Sequence, residues 1–412
     1  MKNFFETRSL AEAKQIALAK VQALSEKEQI ETQNALGRIL AQDEYSPIDL
    51  PGFDRSGMDG YAVKAADTFK ASHESPVELR VIGRVAMGQD PASLPALKPG
   101  EAVEIATGGA MPKGADAVVI LEHTEAAGPL PQKILIFSPV APGAHVIAKD
   151  EDLKKGELVF QKGHRLRAQD VGALLAVGIT SITAFRKVLV GVLATGDELI
   201  PPDQTPKPGQ VRDINSYTLR AQIEELGAIA KLYGICPDNK TKLLVATQRA
   251  LAENDLVLIS GGSSIGARDA TLEILKELGE VFVHGIRIAP GKPTIFAICD
   301  EKPVIGLPGN PISSIVVFEK FAAPLIRKLG GAKDFEIHRP LIRAVLAQNV
   351  AKERGREDFV RVRLLKGPLP QAEPVYAHTN NILGLAKADG LIRISAESEG
   401  LERGSEVFVE LL

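Results

Sequence analysis

Between Val188 and Leu329, apolar runs of strand length alternate with stretches whose apolar residues recur at helical spacing. Val188–Ala194, Ala228–Ile235, Asp255–Ser260 and Val304–Leu307 read as strands, and Ser216–Leu226, Thr241–Ala252 and Asp269–Leu278 as helices. Strands apolar along their whole length need cover on both faces, and strands separated by helices pair in parallel. The pattern predicts a doubly wound α/β domain with a parallel core sheet. Ligands of such sheets sit beyond the carboxyl ends of the strands. One such end, Pro303–Ser314, is the most explicit. Val304–Leu307 meets a Pro308-Gly309 turn. Asn310 suits an N-cap, and Pro311 suits the first helical position, where a missing N–H costs nothing. A helix opening there aims unpaired N–H groups and the positive end of its dipole outward, which suits a phosphate. An ordinary strand–turn–helix joint reads equally well from this stretch alone.

The chain has 412 residues, enough for several domains. Ser9-Leu10-Ala11-Glu12 has the form of a capping box, followed by the stripe Leu10, Ala13, Ala17, Val21 and Leu24. Asn34–Ala41 is expected as a second helical piece. Residues 76–145 hold short alternating runs with close turn signals, the pattern of an all-β module. Gly156–Phe160 then reads as a strand and Ala168–Val177 as a helix ending at Gly178. The β module is therefore expected as an insertion into an elongated N-terminal domain. After Gly330-Gly331, Leu341–Leu346, Phe359–Leu364, Leu391–Ile394 and Val407–Leu411 predict a small C-terminal β domain. The expected boundaries are 1–46 with 146–186, 47–145, 187–331 and 332–412.

Charge narrows the partners. Forty-nine basic residues face 52 acidic ones, a net charge of −3 that gives no sign of nucleic-acid or membrane-surface binding. No apolar run approaches a membrane span, and Met1–Glu6 has no apolar signal region. The two cysteines, Cys236 and Cys299, are too few for a Cys-based zinc site or a disulfide framework. A reduced, cytoplasmic setting is expected.

Three loops at strand ends carry candidate chemistry: Thr195-Gly196-Asp197-Glu198, Ser260–Asp269 and Pro308–Ser314. Gly261-Gly262-Ser263-Ser264 offers close backbone approach and hydroxyl donors, as phosphate sites require. Glu198 and Asp269 are hard oxygen ligands suited to Mg²⁺. Lys292, in Pro290-Gly291-Lys292-Pro293, is a compact positive charge. Phosphoanhydride chemistry needs this combination of N–H cradle, divalent metal and cation. Each piece also has a bland reading. Thr195–Glu198 can be a turn, Asp269 a helix N-terminal carboxylate, and Pro290–Pro293 a solvated turn. Convergence on one sheet edge is what points to a site. Asp59 and the run Asp150-Glu151-Asp152 lie outside this domain, where a turn-stabilising carboxylate and a solvated charge run are the plain readings. The histidines lack metal-ligand spacing, and neither a P-loop nor a nucleophile elbow is present.

Six ordered stretches carry a resemblance. Pro51–Ala62 (Pro-Gly-Phe-Asp-Arg-Ser-Gly-Met-Asp-Gly-Tyr-Ala), Ala106–Pro112, Thr195–Leu199, Ser260–Gly266, Pro290–Pro293 and Gly306–Pro311 resemble the motifs of the molybdopterin molybdenumtransferase (MoeA) family, which includes the gephyrin E domain. The resemblance implies a cytoplasmic homodimer of elongated four-domain subunits. It implies Mg²⁺-dependent hydrolysis of adenylylated molybdopterin, release of AMP and insertion of molybdate at the dithiolene to give molybdenum cofactor. Its cleft lies between the α/β domain of one subunit and the β insertion of the other. That arrangement would bring Asp59, Thr107 and Asp152 to the phosphate-binding edge. Carried over by motif, Glu198 and Asp269 are the metal ligands. Thr195, Gly261, Gly262, Ser264, Pro308, Asn310, Pro311 and Ser313 line the substrate pocket, and Lys292 meets an anionic group. Asp238 aligns with a further functional carboxylate. The implied partners are molybdopterin adenylyltransferase as substrate donor and molybdoenzymes or their chaperones as acceptors. The chain departs from the family pattern at Gly285, Arg287 and Ala289. Some members carry lysines there; here Arg287 is the only cation, and strand alternation leaves its direction open. A non-catalytic scaffold of the same fold and a tungstate-inserting relative stay open as alternatives.

Overall fold

The structure, a computed structural model, describes residues 7–127, 133–261, 265–375 and 382–412, with the backbone alone for 265–269. The α/β domain forms as the alternation predicts. Its strands are β1 (Leu189–Thr195), β2 (Ile229–Cys236), β3 (Leu256–Gly261), β4 (Gly279–His284), β5 (Ile295–Cys299) and β6 (Lys302–Pro308), in the order β2-β1-β3-β6-β5-β4. β2, β1, β3 and β6 run parallel, and β5 is antiparallel to both its neighbours. Alternation along each strand divides the core. Val190, Val192, Leu256, Leu258 and Ile305 enter one cluster, whereas Leu193, Val257, Ile259 and Val304 enter the other. Helices α1 (Asn215–Glu225) and α4 (Pro311–Val317) cover the first face; α2 (Lys240–Glu253) and α3 (Ile265–Leu278) cover the second. α4 continues through a π-helical turn, Phe318–Ala322, into α5 (Ala323–Leu329).

The N-terminal helix, Leu10–Lys20, departs from the expected boundaries. Its buried residues Leu10, Ala13 and Ala17 join the first core face of the α/β domain rather than the elongated region. The small alanines let it approach closely, and Arg8 fixes its entry by bonding to Gly285 O at 3.1 Å and accepting from Arg287 N at 2.6 Å. The capping box forms as expected: Glu12 N donates to Ser9 Oγ at 3.2 Å, and Ser9 N to Glu12 Oε2 at 2.8 Å.

The second helix expected at Asn34–Ala41 does not form. Only a 3₁₀ turn, Thr32–Asn34, is present; Gly37 then takes φ +74°, and Leu40 and Ala41 donate to His164 O and Thr183 O. Tertiary backbone pairing wins over local helix propensity. The elongated region is otherwise built from Lys27–Glu31 paired with Ser181–Phe185, Glu44–Tyr45 paired with Leu158–Phe160, and the helix Ala168–Ala176, which ends near Gly178 at φ +81°. The insertion holds a six-stranded sheet that includes Gly60–Val63 and Glu101–Ile105.

The C-terminal strands close into a barrel, because Glu357–Leu365 pairs with both Gln371–Pro374 and Gly390–Ile394. The ring is completed through Leu341–Leu346 and Glu406–Leu411. A short strand of the α/β domain, Ile288–Ala289, adds in parallel to Glu357–Asp358 and ties the two domains together. Among the described residues no helix is long and apolar enough to cross a membrane. Because the N-terminal helix helps to close the α/β core, Ser9→Ala is expected to lower stability by about 1 kcal/mol. It should also speed amide exchange at Glu12, measured by hydrogen–deuterium exchange, while exchange in the barrel strands stays unchanged.

Candidate active site

At the carboxyl end of β1, Thr195 is buried and its hydroxyl donates to Asp238 Oδ1 at 2.8 Å. The Asp238 N–H in turn donates to Asp197 Oδ1 at 3.1 Å. The loops after β1 and β2 are thereby locked together. At the end of β3, Gly261 takes φ +150°, and a Cβ there would stand 2.1 Å from Thr195 O. Only glycine lets these two strand ends approach so closely.

Asn215, at the start of α1, was not singled out from the sequence. Its Nδ2 donates to Ser260 Oγ at 2.9 Å and to Gly309 O at 2.8 Å. It joins the end of β3 to the turn after β6. A helix-start asparagine ordinarily reads as a cap. The available signal is redundancy: Asp213 Oδ1 already accepts from Ser216 N at 3.1 Å, so the helix has its cap.

The Pro308-Gly309 turn and Pro311 at the first helical position stand as expected. Asn310 occupies the N-cap position, and its carbonyl accepts from Ser314 N at 2.9 Å, but its side chain makes no capping bond. That side chain lines a cavity of about 230 Å³ together with Lys292, Pro308, Ser313 and Arg356. Among the described residues no carboxylate lines this cavity. Arg356 was missed from the sequence because it comes from the C-terminal domain. It precedes the strand that pairs with Ile288–Ala289, and it is oriented by Glu353 at 2.8 Å and Asp358 at 3.1 Å. Arg287, the cation of the departing stretch, turns elsewhere: Nη1 donates to Thr7 O at 2.8 Å, and Nη2 lies 3.4 Å from Glu12 Oε2.

Glu198 lies on the β1 loop, with Oε2 2.7 Å from where a Gly196 Cβ would stand. Gly262, Ser264 and the Asp269 side chain lie outside the described residues. Among the described residues no group of three or more His, Cys, Asp or Glu side chains is arranged to hold a metal ion. On the insertion, Asp59 and Thr107 come together: Asp59 Oδ1 accepts from Thr107 N at 2.7 Å and from Thr107 Oγ1 at 3.1 Å. These donors, the backbone N–H first, hold the Asp59 carboxyl below its usual value. Asp152 is exposed in a neighbouring loop, its N–H donating to Leu50 O at 3.0 Å. Neither Asp59 nor Asp152 lines the Lys292–Arg356 cavity.

Three family descriptions match in order. They are the MoeA N-terminal region (domain I and II) over residues 8–178, a "Probable molybdopterin binding domain" over 191–328, and the MoeA C-terminal region (domain IV) over 343–412. A Methanocaldococcus jannaschii protein named for molybdopterin biosynthesis is 38% identical over 393 residues, covering 93% of this chain and 92% of its own. The chain belongs to the MoeA family. The molybdopterin molybdenumtransferase of Nostoc sp. is 34% identical over 384 residues, covering 91% of this chain and 86% of its own. The crystal structure of the molybdopterin biosynthesis MoeA protein of Pyrococcus horikoshii OT3 superposes with a TM-score of 0.85 at 31% identity, over 99% of this chain and all of that one. The MoeA architecture of an α/β domain, inserted β module and C-terminal barrel is thus this chain's own.

Two measurements check this geometry. Asn215→Ala should lower stability by about 1–3 kcal/mol, since it leaves buried groups short of a donor. Asn215→Asp should cost more, because it sets a carboxylate against the Gly309 carbonyl. Thr107→Val should raise the Asp59 pKa, read by NMR titration, yet leave it below its usual value because the backbone donor stays. The sign follows from the depressed folded pKa: the stabilisation is present above the unfolded pKa and is lost as pH falls through the folded one.

Proposed function

We propose that this MoeA-family protein is a molybdopterin molybdenumtransferase that inserts molybdate into adenylylated molybdopterin with release of AMP. The observation that carries this reading is the Lys292–Arg356 cavity, which among the described residues has two cations and no carboxylate in its lining and sits at the start of α4. Cations without lining acids favour an oxyanion, molybdate or a substrate phosphate. The N-terminal end of the long helix that begins with α4 adds its dipole in the same direction.

The acidic loops serve a different purpose. Glu198, with Asp269, supplies hard oxygens of the kind Mg²⁺ takes, and Mg²⁺ needs only one or two carboxylates when substrate phosphates complete its shell. Bound there, Mg²⁺ would neutralise charge on the phosphoanhydride. The Thr195 hydroxyl holds Asp238 in one orientation as an acceptor at the same edge. Gly261, with Gly262 and Ser264, would let substrate phosphates approach the backbone. Asp59, fixed by Thr107, and Asp152 would reach this edge from a second copy of the chain, which makes the working unit a homodimer. The setting would be cytoplasmic. Molybdopterin adenylyltransferase would deliver the substrate, and molybdoenzymes or their chaperones would take the product.

The test mixes purified protein with adenylylated molybdopterin, Mg²⁺ and molybdate, and measures AMP and cofactor formation. With an active substrate preparation, absence of both products sinks the proposal; removal of Mg²⁺ should stop AMP release. Asp59→Ala and Glu198→Ala should each abolish turnover. Co-expressed, they should recover activity, because each mixed dimer carries one site with both groups intact. No recovery in verified mixed dimers would place Asp59 in its own subunit's site.

A further inference from the structure

The long helix that begins with α4 touches the candidate site at one end and the barrel along its middle. Its start, at Asn310 and Ser313, forms one wall of the anion cavity. Further on, the π-helical turn Phe318–Ala322 interrupts the α ladder. Such a turn inserts one extra residue and re-aims the side chains that follow, and it recurs at functional positions. Here it carries two charged residues that are nearly buried, Glu319 with a side chain 8% exposed and Lys320 with one 13% exposed. Lys320 Nζ donates to Glu319 Oε1 at 2.8 Å and to Glu410 Oε1 at 2.6 Å. It also lies 5.4 Å from the centroid of the Phe359 ring. Glu410 and Phe359 belong to barrel strands, and Phe359 is buried in the α/β core.

The same barrel strand that carries Phe359 begins beside Arg356, on the opposite wall of the anion cavity. Near the cavity the barrel is held by the two-residue ladder of Ile288–Ala289 with Glu357–Asp358 and by Glu357 N donating to Arg287 O at 3.0 Å. A short backbone ladder of this kind leaves a rotation about it that other contacts must oppose. Phe359, Leu385 and Leu391, buried in the α/β core, oppose separation, but such packing is not directional. The Lys320 contacts are directional, and through Glu410 they hold a second barrel strand, Glu406–Leu411, besides the one that begins at Arg356.

We propose that Lys320 is a positioning residue for Arg356. By locking the barrel to the π-helical turn, it sets where Arg356 stands across the cavity from the start of the same long helix. This rests on reading the cavity as an anion site. Loss of the ammonium would leave Glu410 facing Glu319 without their shared cation, with only Arg339 Nη2, 3.9 Å from Glu319 Oε2, still opposite the pair, and the barrel would turn to relieve them.

The experiment uses the full chain and molybdate as the probe, with affinity read by calorimetry. Lys320→Gln should weaken molybdate binding about tenfold. Lys320→Arg should restore it. Arg356→Ala should weaken binding at least as much, and Lys320→Gln should add nothing in that background, the non-additivity expected of a residue acting through another. A readout free of ligand accompanies this: amide exchange at Glu357 should speed up in Lys320→Gln. If that variant fails to fold, Glu410→Gln, which keeps Lys320 on Glu319, should shift both readouts in the same direction. Additive losses, unchanged affinity with only a lower melting temperature, or unchanged Glu357 exchange would each overturn the positioning role and leave the anion site standing. Unchanged affinity in Arg356→Ala would overturn the anion reading, and the positioning role with it.

Discussion

The amide of Asn215 reaches two partners at once, Ser260 Oγ and Gly309 O, and the carboxyl edge of the sheet depends on it. In a parallel sheet the strand ends are joined by ladders, but the loops beyond them are not. Without a cross-brace, the turn after β6 and the Gly261 loop would each follow its own helix. Asn215 is buried, so its hydrogen bonds form out of competition with water and leaving its partners unmet is costly. Gly261 completes the brace from the other side by letting β3 close on the Thr195 carbonyl. The Thr195–Asp238 bond then ties in the loop after β2. Three polar contacts and one glycine thus turn separate strand ends into one rim.

That rim separates its charges. The carboxylates Asp197, Glu198 and Asp238 gather on the loops after β1 and β2, whereas the cations Lys292 and Arg356 line the cavity at the turn after β6. A substrate that joins a phosphoanhydride to a second anionic group needs both environments side by side: oxygens for a metal at one end, cations for an anion at the other. Arg356 is ion-paired to Glu353 and Asp358, which help to aim it, and among the described residues no acid stands in the cavity lining itself.

Much of the fold was readable because it rests on local patterns. Continuous apolar runs placed the four parallel strands of the α/β sheet, and period-3.6 stripes with the Asn310-Pro311 start placed four helices around it. Pro308–Pro311 announced a turn and a helix start through backbone restrictions that act within a few residues. The failures fall where distant backbone competes. Asn34–Ala41 has helical composition, yet Leu40 and Ala41 find backbone acceptors in His164 and Thr183. The N-terminal helix was visible but not its neighbour, because a Leu-Ala-Ala stripe fits any apolar face and distant contacts such as Arg8–Gly285, Lys14–Glu336 and Lys328–Leu18 decide which. Arg356 and Asn215 were hidden for the same reason: each acts on residues far away in sequence, and neither has unusual surroundings in its own segment.

Arg287 shows how such distant contacts redistribute a function. Read locally, it is the one cation in the stretch Gly285–Ala289, so it is the natural candidate for the anion. The structure spends it otherwise. Its guanidinium binds the Thr7 carbonyl and faces Glu12, the same carboxylate that closes the Ser9 capping box, and its backbone N–H and C=O bond to Arg8 O and Glu357 N. One residue therefore clamps the N-terminal helix on one side and the barrel on the other. A clamp of this kind cannot also follow an anion into the cavity, because the side chain would have to abandon partners that hold two structural units in register. The cation has to come from whatever the clamp holds in place, and what it holds beside the cavity is the start of the Arg356 strand. The charge at the cavity therefore depends on how the barrel is docked, since Arg356 stands at the start of the docked strand.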